Sequence, residues 1–336
     1  MTLLVLSARE LPGLLPYREA VEVMRLALAA HARGEAYQPL RTIARPPGAE
    51  GLMALMPAYL PPPPGPPDPG AEPGYGVKAL CISPGNPALG KDAHQGGVLV
   101  SSARTGEPLA LVNASALTEI RTAAVSALAT SLLARPDAAE LAVIGTGVQA
   151  RAHIQALAAC RGLTGIRVVG REPGRARLFA AEVARSVGVP VAAHDSVAGA
   201  LAGAGIVVTA TTSAAPVLQR DWLAPGTHIN AVGACLPGTR EIDSGTMAGA
   251  ALFVDSRESA AHESGDLLLA MAEGAVSAGD IRAELGEVIA GLAPGRRDDQ
   301  EITLFESLGL AVEDLAAAAH AYRRARAAGA GTPVDF

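Results

Sequence analysis

The chain has 336 residues, of which 49% are hydrophobic and 18% are charged, and its formal net charge at pH 7 is -6. This composition is typical of a folded protein with one or two substantial cores and argues against long disordered regions. The negative net charge and the lack of any basic cluster longer than a pair argue against nucleic acid or an anionic membrane as a partner. We therefore expect a small-molecule partner.

The first predicted element is a helix over residues 17–32, where apolar residues recur at helical spacing. A proline-rich segment follows at 61–74, and because proline cannot donate to a strand ladder, we expect an exposed connecting loop there. Short apolar runs at 76–82, 97–101 and 108–112 predict strands. The first hundred or so residues therefore have a mixed helix and strand pattern.

A long alanine-rich helix is predicted over 117–134, and strands and helices alternate after it. The predicted order is strand 141–144, helix 149–160, strand 166–169, helix 175–187, and strands 206–210, 228–232 and 251–254. Such alternation is typical of an α/β fold with a parallel, doubly wound sheet. A last helix at 312–328 lies beyond it, so we predict two domains: residues 1–116 completed by 310–336, and residues 117–309.

The segment from Leu141 to Ala150 joins a short apolar strand to a glycine-spaced turn and an alanine-rich helix. Gly145 allows a sharp turn, Gly147 allows the backbone to approach a pyrophosphate, and Ala150 allows close packing of helix on strand. The phosphates of a dinucleotide would lie at the helix N-terminus. The predicted cofactor contacts in this turn are Gly145, Gly147, Val148 and Gln149.

The residue after the second strand indicates which dinucleotide is bound, because an acidic side chain there accepts hydrogen bonds from the ribose of NAD. This chain has Arg171 at that point, with Arg175 and Arg177 on the following helix. Arginines would bind a 2′-phosphate, which favours NADP(H). Glu172 could serve the ribose from one residue later, so NAD(H) stays an alternative.

The three cysteines, Cys81, Cys160 and Cys235, are widely spaced and lack paired histidine spacing, so neither a disulfide framework nor a metal site is predicted. The apolar N-terminal segment is too short for a signal peptide and lacks a basic leader, and no stretch would span a membrane uninterrupted by charge or glycine. We therefore expect a cytoplasmic protein.

Several segments together resemble the ornithine cyclodeaminase and mu-crystallin family. They are Gly-Val-Lys78-Ala, Leu117-Thr-Glu-Ile-Arg121-Thr122, the dinucleotide turn, Thr209-Ala-Thr-Thr-Ser213, Gly226-Thr-His-Ile-Asn230-Ala-Val-Gly233 and Thr303-Leu-Phe-Glu-Ser307-Leu-Gly309. The resemblance extends from Arg41 to Asp314. It implies a Rossmann-type dinucleotide-binding domain, a substrate domain built from both termini, and a homodimer formed through the substrate domains.

The resemblance also implies site residues. Arg41 and Arg121 would bind the carboxylate of an amino or imino acid, and Lys78 would lie beside the substrate as a proton donor or carboxylate anchor. Without the resemblance, Arg121 would be interpreted as a helix-surface arginine. His94 is left outside the predicted catalytic set. The remaining predicted cofactor contacts are Thr122, Ala210, Thr211, Thr212, Val232, Gly233 and Ser307.

Members of this family differ in activity, and one position discriminates between them. In the cyclodeaminases, the turn after the Asn-Ala-Val-Gly strand carries an aspartate, whereas this chain has Cys235. A thiol replaces an ionised acid poorly. The sequence therefore predicts an NADPH-dependent reductase of a cyclic imino acid such as pyrroline-2-carboxylate or piperideine-2-carboxylate. The alternatives are an ornithine cyclodeaminase with bound NAD, a linear amino-acid dehydrogenase such as one for alanine, and a non-catalytic NADPH-binding protein.

Overall fold

A computed structural model of the chain describes residues 2–61 and 73–336. The strands are β1 (Thr2–Leu6), β2 (Thr42–Ala44), β3 (Leu52–Tyr59), β4 (Pro73–Ile82), β5 (His94–Ser102), β6 (Pro108–Asn113), β7 (Glu140–Ile144), β8 (Gly165–Val169), β9 (Val191–His194), β10 (Ile206–Thr209), β11 (His228–Ala231), β12 (Ala251–Val254), β13 (Ile281–Glu284), β14 (Thr303–Glu306) and β15 (Thr332–Asp335). The helices are α1 (Leu11–Leu14), α2 (Tyr17–Ala32), α3 (Ala114–Leu133), α4 (Val148–Cys160), α5 (Pro173–Ala184), α6 (Val197–Leu201), α7 (Ser244–Gly249), α8 (Arg257–Glu263), α9 (Gly265–Ala272), α10 (Leu285–Ile289) and α11 (Ala311–Ala328).

The chain divides into two compact units. The first unit runs to Arg121 and also contains Leu310–Phe336, and the second unit is Thr122–Gly309. The division falls inside α3, a few residues beyond the predicted boundary at residue 116. Both units mix helices and strands, so the predicted α/β class is confirmed.

The first unit contains a seven-stranded sheet in the order β15-β1-β6-β5-β4-β3-β2. Neighbouring strands from β2 to β6 are antiparallel, and β1 joins β6 in parallel. Residues along β3 are alternately buried and exposed, as expected when one face of a sheet is covered. Helix α11 packs on β3, β4 and β5, so it covers the buried face.

The predicted loop at residues 61–74 is wrong at its end, because β4 already begins at Pro73. A proline is tolerated as the first residue of a strand. Residues 62–72 of that predicted loop lie outside the described residues.

The second unit contains an eight-stranded sheet in the order β13-β12-β14-β11-β10-β7-β8-β9, in which every neighbouring pair is parallel. This confirms the predicted parallel, doubly wound sheet. Strands β7, β10 and β11 lie side by side, so their carboxyl ends share one edge of the sheet. Ligands of such sheets bind at this edge.

Among the described residues, the helices are all too short or too polar to cross a membrane. The same part of the chain contains no group of three histidine, cysteine, aspartate or glutamate side chains that could hold a metal ion.

Candidate functional site

In the first unit, Lys78 and Arg121 meet two acidic side chains of α11. Lys78 Nζ lies 2.6 Å from Asp314 Oδ2, and Arg121 Nε lies 2.9 Å from Asp314 Oδ1. Arg121 Nη1 lies 2.9 Å from Glu313 Oε2. All four side chains are buried. We call Arg41, Lys78, Arg121, Glu313 and Asp314 the charge cluster, because the charge of Arg41 also acts on Lys78.

Local structure fixes the two acids of the charge cluster. Glu313 and Asp314 lie in the first turn of α11, where the helix dipole favours negative charge. The backbone N–H of Leu310 donates to Glu313 Oε2 at 3.2 Å, and the N–H of Val312 donates to Gln38 Oε1 at 2.9 Å. These hydrogen bonds fix the start of α11 independently of the cations.

The charge cluster contains three cations and two carboxylates. The pKa of Lys78 is lowered to about 8, mainly by burial; the charges of Arg121 and Arg41 act in the same direction, and Asp314 opposes the shift. Burial raises the pKa of Asp314, but the charges of Arg121 and Lys78 outweigh this and hold it below its ordinary value. With ionised acids and a protonated lysine the cluster carries one net positive charge, which suits a substrate with one carboxylate.

His94 lies close enough to the charge cluster for the charges of Lys78 and Arg121 to affect its pKa. Burial lowers the pKa of His94, and the charges of Lys78 and Arg121 lower it further. His94 is therefore neutral at pH 7. This residue lies outside the predicted catalytic set, and its neutral state means that it adds no charge to the cluster.

In the second unit, Gly145 has a φ of +131°, a backbone conformation that favours glycine. A Cβ at this position would overlap the backbone carbonyl oxygen of Ala210, so a larger residue would push β7 and β10 apart. By contrast, a Cβ on Gly147 would meet no atom within 4 Å. Gly147 is the N-cap of α4, so the space beside the helix N-terminus is open.

Three of the predicted cofactor residues carry a buried polar atom that has no hydrogen-bond partner within the described residues. These atoms are Thr122 Oγ1, Gln149 Oε1 and Ser307 Oγ. Buried polar atoms in proteins are normally hydrogen-bonded, and one that is not calls for a ligand or a water molecule. The open space at Gly147 and these three atoms fit a polar ligand such as a dinucleotide.

Two predicted cofactor turns follow neighbouring strands. Ala210, Thr211 and Thr212 come directly after β10, and Val232 and Gly233 come directly after β11. Because β10 and β11 are parallel neighbours, these two turns lie at the same edge of the sheet. The structure thus brings together two groups of predicted residues, 210–212 and 232–233, that are about twenty positions apart in the sequence.

The predicted phosphate-binding arginines follow β8. Arg171 lies between β8 and α5, and Arg175 lies in the first turn of α5; both side chains are exposed. Arg177 instead pairs with Asp195, with Nη1 lying 3.2 Å from Oδ1. Glu172 is the N-cap residue of α5 and is also exposed. The structure therefore leaves both Arg171 and Glu172 available to a ribose or its phosphate.

Several residues that shape these sites were not predicted from the sequence. They are Glu313 and Asp314 of the charge cluster and the buried acids Glu241, Asp255 and Asp266 of the second unit. For Asp255, Glu313 and Asp314 the detectable signal was an acid in or directly after an apolar run, since fully buried acids are rare unless they are paired or hydrogen-bonded. Glu241 and Asp266 follow polar segments in the sequence and gave no such signal.

Comparison with known proteins adds three findings. Residues 2–329 match the model of the family described as "Ornithine cyclodeaminase/mu-crystallin family". The chain is 36% identical to a Delta(1)-pyrroline-2-carboxylate reductase of Bacillus cereus, covering 99% of this chain and 100% of the relative. It is 38% identical to the ketimine reductase mu-crystallin of Mus musculus, covering 89% of this chain and 90% of the relative.

A solved structure is also similar over nearly the whole chain. It is the Delta(1)-pyrroline-2-carboxylate reductase of Thermococcus litoralis in complex with NADH and L-proline. The TM-score is 0.92 at 37% sequence identity, and the match covers 99% of this chain and 100% of that one.

Proposed function

Because the chain belongs to the ornithine cyclodeaminase/mu-crystallin family, we propose that it is a pyridine-nucleotide-dependent reductase of small cyclic imino acids. The reaction converts a cyclic 2-imino carboxylate, such as pyrroline-2-carboxylate or piperideine-2-carboxylate, into the L-amino acid. The bacterial relative is named for reduction of Delta(1)-pyrroline-2-carboxylate and the mouse relative for reduction of a ketimine, and the Thermococcus litoralis enzyme was solved with NADH and L-proline. The observation that carries the proposal is the net positive charge cluster around Lys78, in which every member except the half-buried Arg41 is buried.

Each cation has a role in this proposal. Arg41 and Arg121 attract the substrate carboxylate, while two nitrogens of Arg121 already bind Glu313 and Asp314 and so fix the guanidinium. Lys78 donates a proton to the imine nitrogen as the hydride reaches the imine carbon. With a pKa of about 8, the Lys78 ammonium is largely protonated at neutral pH and is a stronger acid than an ordinary lysine.

The cofactor supplies the hydride from its reduced nicotinamide ring. In the second unit, the turn at Gly145 and Gly147 would hold the pyrophosphate with Thr122 and Gln149 beside it. The turns after β10 and β11 and the side chain of Ser307 would surround the nicotinamide. The unpartnered polar atoms of Thr122, Gln149 and Ser307 support this assignment.

An ornithine cyclodeaminase is less consistent with the second unit. Position 235 carries a thiol, and the nearest acids after it in sequence have other contacts. The carboxylate of Glu241 accepts three hydrogen bonds. Asp243 caps α7 by accepting from the backbone N–H of Thr246 at 2.9 Å. Neither acid is available to handle a substrate amino group.

We further propose that NADP(H) is preferred over NAD(H), with Arg171 and Arg175 binding the 2′-phosphate. The double variant Arg171→Ala/Arg175→Ala should weaken NADPH binding by about tenfold to a hundredfold, because two charge-assisted contacts are lost. NADH binding should be unchanged. Arg185→Ala, an exposed arginine after the other end of α5, is the matched control. Equal loss for both nucleotides, or tighter binding of NADH by the unmodified protein, would disprove the preference.

We also propose a homodimer formed through the uncovered face of the first unit's sheet. Met53, Leu55, Tyr75 and Leu111 are all exposed, and the strand register places them on one face. A contiguous exposed apolar patch is typical of an interaction surface. Sedimentation analysis should give a dimer mass, and Leu55→Glu should shift it towards the monomer. A monomer at micromolar concentration for the unmodified protein would disprove the dimer.

The function itself is tested by following the absorbance of NADPH and of NADH with pyrroline-2-carboxylate or piperideine-2-carboxylate. We expect rapid oxidation of the nucleotide and formation of proline or pipecolate. Parallel assays use ornithine with NAD, and pyruvate with ammonia and either NADPH or NADH. Ammonia release from ornithine without net nucleotide oxidation would mean a cyclodeaminase. Turnover of pyruvate with ammonia, but of neither cyclic imine, would mean an alanine dehydrogenase.

A further inference from the structure

We propose that Glu241 is a positioning residue that fixes the two turns surrounding the nicotinamide. The inference rests on the proposed function, since it assigns the turns after β10 and β11 to that end of the cofactor. Glu241 is fully buried, and its carboxylate lies between the two turns. It would not touch the reacting atoms, and it would act through the backbone.

The carboxylate of Glu241 joins β10 and β11 at their carboxyl ends. Oε1 accepts from the backbone N–H of Thr211 at 2.6 Å. Oε2 accepts from the backbone N–H of Gly233 at 2.6 Å and from Thr209 Oγ1 at 2.8 Å. Two of these three donors are backbone groups of predicted cofactor residues, so the carboxylate sets the distance between the turns.

The turns are already as close as their backbones allow. A Cβ on Gly233 would overlap the backbone carbonyl oxygen of Thr211 and would lie 2.7 Å from Glu241 Oε2. Only glycine fits at this position. The ladder between the two strands ends here, where the N–H of Val232 donates to the carbonyl oxygen of Thr209 at 3.0 Å. Beyond it, the Glu241 carboxylate joins the two turns by accepting from a backbone N–H of each.

Glu241 is itself held from behind. Asp266 Oδ1 accepts from the backbone N–H of Glu241 at 2.7 Å and from that of Ile242 at 2.9 Å. The carbonyl oxygen of Glu241 accepts from the N–H groups of Val217 and Leu218 at 2.8 and 3.0 Å. The carboxylate therefore projects from a backbone with little freedom to move, as a group that determines a geometry should.

The titratable groups that face Glu241 are also acids. The charges of Asp266, Glu241 and Asp255 all act on Glu306, and Glu306 Oε2 accepts from Ser264 Oγ at 3.2 Å. Arg240, the adjacent cation in sequence, binds Glu273 instead. Glu241 is thus stabilised as an acceptor by N–H and O–H donors more than by a counter-charge.

Glu241→Gln tests the proposal with almost no change in size. An amide has one acceptor oxygen, so in either orientation its NH₂ group faces the N–H of Thr211 or of Gly233. We expect NADH binding to weaken about tenfold or more, with kcat falling at least as much, because a buried donor loses its acceptor. ADP-ribose, which lacks the nicotinamide, should bind within about twofold of the unmodified protein.

The control is Asp243→Ala, which removes the cap of α7 without touching either turn. It should lower the melting temperature while leaving the ratio of NADH to ADP-ribose affinity unchanged. Equal weakening of NADH and ADP-ribose by Glu241→Gln would show a general structural role and overturn the proposal. Unchanged NADH affinity and kcat would overturn it as well.

Thr209→Val provides a second test if Glu241→Gln does not fold, because it removes only the hydroxyl donor. It should reduce NADH affinity and kcat by a smaller factor in the same direction, and Thr209→Ser should restore both. No effect of Thr209→Val, or no rescue by serine, counts against the proposal.

The binding ratio also separates this inference from the proposed function. If the unmodified protein binds NADH but reduces no imine, the proposed function fails and the ratio still decides on Glu241. If it binds neither NADH nor NADPH, both fail.

Discussion

Both units of the protein bury carboxylates, but the two groups have opposite surroundings. In the first unit, Asp314 pairs with Lys78 and Arg121, and the charges of these cations hold its pKa below the ordinary value despite burial. In the second unit, burial raises the pKa of Asp266 to about 7 and that of Glu306 well above its ordinary value, with neighbouring acids adding to the effect.

This difference separates two uses of a buried acid. Ionised acids paired with cations set charge, which suits the binding and protonation of a small anion. Acids surrounded by N–H and O–H donors set shape, because each oxygen fixes the position of a backbone group. The comparison predicts that changes in the charge cluster alter the rate and pH dependence of the reaction without weakening nucleotide binding, whereas changes around the second unit's turns weaken nucleotide binding.

The largest effect is expected for Lys78→Met. Loss of the proton donor should lower kcat/KM for imine reduction by about a thousandfold, within the usual range for general acid catalysis. NADH affinity should be unchanged, because the predicted nucleotide contacts lie in the other unit. Lys91→Met, at an exposed lysine, is the control. A variant that reduces the imine within a few-fold of the unmodified rate would remove Lys78 from the catalytic set.

The next effect is expected for Asp314→Asn, which leaves Lys78 and Arg121 with one acid in place of two. Breaking a buried ion pair should destabilise the fold by about 3 kcal/mol, measured by urea unfolding.

The same variant should change the pH dependence of kcat/KM for imine reduction. With Lys78 as the acid and a pKa of about 8, kcat/KM falls as the pH rises through about 8. Because Asp314 raises the pKa of Lys78, its loss should move this alkaline limb to lower pH. An unmoved limb would mean that another group donates the proton.

A pair of glycine variants separates shape from binding at the dinucleotide turn. Gly145→Ala should cost about 2 kcal/mol or more, because alanine is strained at a φ of +131° and would overlap Ala210. Gly147 has an extended backbone and open space around its Cα, so Gly147→Ala should change the free energy of unfolding by no more than about 1 kcal/mol. NADH binding should weaken in both. Normal binding by a folded Gly147→Ala variant would place the pyrophosphate elsewhere.

Much of the second unit could be predicted from sequence because its signals are local. Apolar runs such as Leu141–Ile144 are separated by glycines and by alanine-rich helices, which gives the strand and helix alternation directly. Strand β14 was not predicted as a strand because its four residues begin and end with the polar Thr303 and Glu306. Both are buried and find partners that are distant in sequence, which local patterns do not reveal.

The first unit was harder to predict because its pairings are not local. Strand β3 is almost uniformly apolar and contains Pro57, so neither alternation nor composition identified it. The proline is tolerated because β2 pairs only with residues 53–55, so within the described part of the chain no strand pairs with Pro57 on that side. Lys78 could be identified because a lysine in an apolar strand is costly, whereas its partner Asp314 resembled an ordinary acid at a helix start.

The smallest effect is expected for Asp266→Asn, and its sign tests the comparison. The pKa of Asp266 is raised from 3.8 to about 7 in the folded chain, so the folded state binds more protons between these values. This contribution to stability is complete below pH 3.8 and is lost as the pH rises through 7.

Asparagine at position 266 keeps the oxygen that accepts from the backbone N–H groups of Glu241 and Ile242 but cannot ionise. Urea unfolding should therefore show the variant to be about 1 kcal/mol more stable than the unmodified protein at pH 8, with a smaller difference at pH 5. Asp221→Asn, at an exposed aspartate, should show no such dependence. If Asp266→Asn is instead less stable at pH 8, the ionised acid is the better acceptor, and the second unit uses charge as the first one does.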